Sequence, residues 1–234
     1  MSNEKMEVTV PVIATRGIIV FPQQDIMIEV GREKSIRAVE EAEEKFDGHV
    51  WLVCQKDIMI DNPVPSDLYT FGTLCRIKNI RRKEGFMRIT FSGLERAELV
   101  SLQDEGRIWM AAVRPVADVA GDNMEEMALI RQLAKEFENI ASQVNNFPPE
   151  IIAQLTKGVS APTLADQFAQ YFPLPLEKKQ ELLETTHVND RLLLIIRELE
   201  KERQLSTIEN SINEKVKERI DESQKEYYLR EKLR

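Results

Sequence analysis

The sequence predicts an α+β protein: a small bent β-sheet or partly open barrel with one helix, then a helical bundle that runs out into a long extended helix. Three observations carry this. Short alternating or apolar runs fill the first half, only helical patterns follow Asp122, and neither glycine nor proline occurs after Pro175. The expected divisions are 1–118 (β-rich), 119–187 (bundle) and 188–234 (long helix).

The strand-like runs begin with "EVTVPV", where Val8, Val10 and Val12 share a face. "GIIVFP" and "DIMIEV" follow, the latter aligning Ile26, Ile28 and Val30. Later runs are "HVWLVCQ", "YTFGTLCRIKNI", "FMRITFSG", "RAELVSLQ" and "IWMAAVRPV". Lys83-Glu84-Gly85 reads as a hairpin turn. The one interrupting helix takes Ser35 as its cap and buries Ile36, Val39, Ala42 and Phe46 before Gly48 stops it.

In the second half, Asp122 or Asn123 caps a helix whose buried stripe is Met127, Ile130, Leu133, Phe137, Ile140 and Val144, ended by "NNFPPE". Pro149 opens a short helix that Gly158 closes. Pro162 lies in the first turn of another, with Leu164 and Phe168 inward, and Pro175 starts a fourth. Asn189 or Thr186 caps the last helix near Asp190. Its first part, "RLLLIIREL", is apolar enough to pack on the bundle. Beyond Leu205 the apolar residues thin to Ile208, Ile212, Val216, Ile220, Tyr227 and Leu233, with Asp221–Lys225 and Glu226–Arg230 as supporting charge pairs. A rod of about 65 Å with so narrow a stripe needs a partner helix or further chain.

Net charge is −8 over 234 residues, and the segment from Val188 onward, with eleven acidic and eleven basic residues, contributes none of it. An acidic body is a poor match for a nucleic-acid backbone. Arg76, Lys78, Arg81, Arg82 and Lys83 do cluster, but such a run more often protects an edge strand. Cys54 and Cys75 lie in apolar strands, apart from His49 and His187, and read as core residues with no metal-ligand spacing. The start, "MSNEKMEVTV", has no apolar export core, and the apolar run Leu192–Ile196 is too short to cross a bilayer, so a cytoplasmic, non-membrane protein is expected.

No catalytic, cofactor or metal residue is expected. The sequence has no P-loop and no GxSxG elbow. Lys34-Ser35 reads as a helix start, and the carboxylates of "EEAEEK" as a solvated face. Surface recognition is what remains. Met27 points away from Ile26 and Ile28, and Phe86 and Thr90 lie opposite Met87, Ile89 and Phe91. Thr15, Phe21 and Pro22 in "TRGIIVFPQQ" are expected near the same rim. These six form the candidate set for binding apolar peptide, because methionine and aromatic side chains suit loose apolar recognition. Ile208, Ile212, Val216, Ile220 and Tyr227 form the candidate assembly seam.

The stretch "VPVIATRGIIVFPQQDIMIEVGREKSIRAVEEA" resembles the opening of the Lon ATP-dependent proteases. So do "SDLYTFGTLCRIKNI", "FSGLERAELV", "LADQFAQYFPLPLEKKQELLETTHVNDRLLLIIREL" and "KVKERIDESQKEYYLREKLR", which together span essentially the whole chain. The resemblance implies a PUA-like β-domain, a bundle and a long helix at the front of a homohexameric, ATP-powered serine protease. The ATP, magnesium and serine–lysine chemistry would then lie after Arg234. The implied role is capture of unfolded or damaged proteins and hexamer assembly; the alternatives are an oligomerisation arm without client contact and an RNA-binding sheet. Two departures stand out: Ala14-Thr15-Arg16 replaces the family's frequent "PLR", and Gln23 stands where glycine is common.

Overall fold

The structure is a computed structural model describing residues 6–142, 144 and 147–233, with Thr156 described by its backbone alone. The expected helix stop at Asn145 and Asn146, residues 1–5 and Arg234 lie outside the described residues.

Six strands form one sheet: β1 (Val8–Thr15), β2 (Asp25–Val30), β3 (His49–Cys54), β4 (Phe71–Lys83), β5 (Phe86–Asp104) and β6 (Trp109–Val116). Their order is β2-β5-β4-β3-β1-β6. β5 also pairs with β6, so five strands close on themselves and β2 hangs on the outside of β5. The ring is thus closed further than a partly open barrel. Among these strand pairs of the described residues, β1–β3 is parallel and the others are antiparallel. "FMRITFSG" and "RAELVSLQ", two strands by pattern, are one 19-residue strand. Its register shifts against β4 and β6 let a single strand turn the corner of the barrel. Gly85, at φ 82°, makes the expected hairpin turn.

"GIIVFP" is not a strand. Residues 16–24 are irregular, yet Ile19, Val20 and Phe21 are buried. The segment crosses β5 so closely that a Cβ on Gly93 would collide with the Phe21 carbonyl. Reciprocal bonds, Gln23 N–H to Gly93 O and Gly93 N–H to Gln24 O, both 2.8 Å, replace the ladder it lacks.

The first helix, α1 (Glu33–Lys45), starts two residues before Ser35. Arg32 is its N-cap and supplies no side-chain bond, so Ser35 is not the cap. Ser35, Ala38, Val39 and Ala42 face inward, and Gly48 at φ 73° donates to the Ala42 carbonyl at the helix end.

The helical half comprises α2 (Asn123–Ile140), α3 (Pro149–Lys157), α4 (Ala161–Tyr171), α5 (Leu176–Glu184) and α6 (Val188–Lys232). Asp122 caps α2 by accepting from the Glu125 amide at 2.9 Å. Gly158 ends α3 at φ 77°. Phe137, Phe147 and Phe168 meet with ring centroids 4.7–5.3 Å apart and form the bundle's aromatic centre. α6 is 45 residues long, about 68 Å. His187, not Thr186 or Asn189, is its N-cap, and no side chain bonds there. Asn189 instead donates to the Asp122 carbonyl and to Glu125, tying the starts of α2 and α6 together.

The strand half and the helical half share a core. Ile19, Phe21 and Cys54 belong to the same apolar cluster as Leu133, Phe168 and Leu192. At about 1.5–3 kcal/mol per fully buried side chain, this contact is a principal source of cohesion.

Candidate functional site

Three features organise the surface and its support. The first is the outward face of the β2–β5 pair. Because β2 is an edge strand whose Ile28 and Val30 point inward, Asp25, Met27 and Glu29 must point out. Met27 stands directly opposite Thr90 and is 63% exposed. Phe86 lies four residues further along the same face and is half-buried. Between them, Arg88 bonds Glu29 at 2.8 Å and sits 5.9 Å from the Phe86 ring centroid. The face therefore presents two separate apolar points, Met27 and Phe86, with an ion pair between them.

Of the six residues expected on this rim, Pro22, Met27, Phe86 and Thr90 reach the surface. Thr15 and Phe21 do not, and are withdrawn as surface contacts. The Thr15 hydroxyl is buried and donates to the Ile18 carbonyl, closing the turn after β1. Phe21 is fully buried against the bundle, and its amide donates to Gln170 of α4 at 3.1 Å. Pattern-reading had no means of seeing the helices that cover it.

The second feature is the α6 seam. Among the described residues of α6, burial ends at Leu199 and the last ion pair to the bundle joins Arg203 to Glu136 of α2 at 3.4 Å. Ile208, Ile212, Val216 and Ile220 are each 50–55% exposed, and Tyr227 69%. The Glu226–Arg230 pair closes at 2.8 Å. The seam lies on the exposed part of the rod, and none of its residues is buried by other described residues.

The third feature is a buried charge cluster that sequence reading missed. Arg96 on β5 donates to Asp166 on α4 at 2.9 Å and to the Leu183 carbonyl at 2.9 Å. Arg191 on α6 donates to Asp166 at 2.6 Å, to the Thr185 carbonyl at 3.0 Å, and to Asp118. Two guanidiniums and two carboxylates thus balance, and three of the four residues are buried. The cluster locks barrel, bundle and rod at one point. Its members lie up to 95 positions apart, so no local pattern could group them.

A further exposed apolar group, Ile58, Met59 and Val64 in the β3–β4 loop, was also missed, although "DIMIDNPVP" places four apolar residues, Ile60 included, inside a proline-bearing loop. The basic cluster on β4 is neutralised in part: Arg76 pairs with Asp47, Lys78 with Asp25, and Arg82 with Glu40. Burial pushes the thiol pKa of Cys54 and of Cys75 up, leaving both as unreactive core groups. Among the described residues no cluster of histidine, cysteine and carboxylate side chains could hold a metal, and no helix is long and apolar enough to cross a membrane. Chemically, the surface can bind and be bound, through apolar points held on rigid backbone.

A family model described as the ATP-dependent protease La (LON) substrate-binding domain matches residues 9–201. The chain is 34% identical over 236 residues to the Lon protease of Escherichia coli strain K12, with all of this chain and 30% of that protein covered. It is 32% identical over 234 residues to the Lon protease of Bacillus thuringiensis strain Al Hakam, covering 29% of it. The chain thus spans about a third of the length of these curated relatives. Among solved structures it is similar in fold to the N-terminal domain of Mycobacterium avium complex Lon protease, with TM-score 0.67 at 20% identity, covering 82% of this chain and 98% of that one. A Lon N-terminal domain protein from Xanthomonas campestris aligns with TM-score 0.57 at 14% identity, covering 81% and 98%.

Proposed function

The chain belongs to the family of ATP-dependent protease La (LON) substrate-binding domains, and from that membership we propose that it captures unfolded protein clients and holds them for ATP-driven degradation by modules outside this sequence. In this reading, residues 1–118 make the client contact, 119–187 brace it, and 188–234 form the connecting rod. ATP and magnesium act in the downstream modules, the whole protein is a cytoplasmic homohexamer, and this part carries no catalysis.

The observation that supports client capture best is the outward face of β2–β5. Met27 and Phe86 stand out from a sheet whose other side is core, with Pro22 and Thr90 nearby. Each contact is small and a single copy binds weakly. Several copies in one assembly raise the effective concentration of sites. The rod supports the assembly role: its Ile208–Ile220 seam is apolar, and the surrounding charges cancel.

The RNA-binding alternative is weakened because three of the five basic β4 residues, Arg76, Lys78 and Arg82, are engaged by carboxylates. The oligomerisation-arm alternative is separated by substitution. Met27→Ser with Phe86→Ser is expected to weaken binding of a fluorescent, permanently unfolded protein by about fivefold, with circular dichroism unchanged. Unchanged affinity in the folded double variant would leave the rim without a client role.

A further inference from the structure

α1 begins without a cap. The amides of Glu33, Lys34 and Ser35 have no acceptor among the described residues, and the Arg32 side chain makes no capping bond. Two adjoining clefts open on this helix start. The first, about 350 Å³, lies between the ends of β1 and β2, with Ile13, Ile18, Ile28 and Val30 as its apolar wall. The second, about 290 Å³, continues past Arg32 toward Trp109. Ser35 lines both. It is only 7% exposed, and its hydroxyl has no hydrogen-bond partner among the described residues. An unpaired hydroxyl beside free amides offers a group of donors to an acceptor that enters the clefts.

The charges around these clefts favour one sign. Glu29 is paired with Arg88, Glu33 with Arg37, Asp104 with Lys34, and Asp61 with Arg16. Among the described residues, Arg32 is the one charged lining residue without a carboxylate in salt-bridge distance; its guanidinium donates to the neutral Gln55 amide oxygen at 2.7 Å. Gln55 is itself fixed, donating to the Asp57 and Ile60 carbonyls. Burial, and then Arg16 nearby, disfavour the charged form of Arg32 against a smaller opposing pull from Asp61, and an incoming anion would favour the charged form further. The backbone adds a guide. From Val12 to Thr15, β1 pairs with β3 on one side, and its pairing with β6 stops at Pro11, so its other edge has no strand partner among the described residues.

We propose that the start of α1, with Arg32 and Ser35, holds the terminal carboxylate of a client chain whose last, apolar side chain enters the cleft between β1 and β2. The inference rests on the client-capture reading and names the chemical feature of the client that this part of the surface selects. Helix-start amides and a guanidinium together form charge-assisted bonds to a carboxylate, and adjacent backbone N–H groups are a recurring receptor for chain ends. A chain lying along the free edge of β1 brings its own main-chain carboxylate to these amides without an intervening side-chain stem.

The test uses the whole chain and three fluorescent decapeptides: one ending in leucine with a free carboxylate, the same peptide amidated, and an amidated form with an internal aspartate. The free acid is expected to bind about tenfold tighter than either amide. Arg32→Gln and, separately, Ser35→Ala are expected to lower the acid to the level of the amide, with melting temperature showing that each variant is folded. Equal affinity of acid and amide, or an acid preference that survives both substitutions, would overturn the site. Equal binding of the internal-aspartate peptide and the free acid would overturn its assignment to a chain end. A permanently unfolded protein serves as the reference. If it binds while acid and amide do not differ, the carboxylate site alone fails; if it does not bind, the client-capture reading fails too.

Discussion

Arg191 of α6 and Asp166 of α4 form a 2.6 Å ion pair in which both side chains are shielded from water, at 0% and 4% exposure. Arg96 reaches the same carboxylate from the barrel. Removing one partner of such a cluster leaves a buried charge uncompensated, which costs far more than the net worth of the intact pair. Asp166→Ala is expected to destabilise the protein by about 3–5 kcal/mol, because it leaves two buried guanidiniums sharing the single, partly exposed carboxylate of Asp118. Urea unfolding measures this. A double-mutant cycle with Arg191→Gln should give a clearly non-additive result; additivity would mean that the cluster does not act as a unit.

Gln23 adopts φ 57°, a left-handed conformation that side chains with a Cβ disfavour. Glycine is free of that penalty. Gln23→Gly is expected to raise stability by up to about 1 kcal/mol, offset in part by the entropy of the unfolded chain. The exposed 3.3 Å contact with Thr163 is a small loss. A fall in melting temperature would show that this contact outweighs the backbone strain.

The α6 seam should govern association without governing folding. Ile212→Asp combined with Ile220→Asp touches half-exposed positions, so stability should change by less than about 1 kcal/mol. Sedimentation should show the wild-type chain self-associating with concentration and the variant remaining monomeric, like a chain lacking residues 206–234. Equal sedimentation of all three would end the assembly role of the seam.

Asp104 is held well below its ordinary value, at about 2, first by the Lys34 ammonium and then by neighbouring N–H donors, Gly106 among them. A lowered carboxyl pKa stabilises the folded chain above the unfolded value near 3.8, and that contribution fades as pH falls toward 2. The group is exposed, so the effect on stability is small. Carbon-detected NMR titration should find the midpoint near 2, and Lys34→Met should move it up toward 3.8. An unmoved midpoint would remove Lys34 as the leading cause.

The α+β order, the turn at Gly85, the helix ends at Gly48 and Gly158 and the uninterrupted run of α6 were all legible in the sequence, because turn chemistry and side-chain period act over a few residues. The exposed place of Met27 and of the Ile208–Ile220 stripe was legible for the same reason. Tertiary structure alone decided the rest. Phe21 reads as a rim residue until α4 covers it, and Ser35 reads as a cap until α1 starts earlier. Arg96, Asp118, Asp166 and Arg191 look like four unrelated surface charges until the fold brings them together. Local pattern records which way a side chain leaves its own backbone; which distant element arrives on that side depends on how barrel and bundle pack.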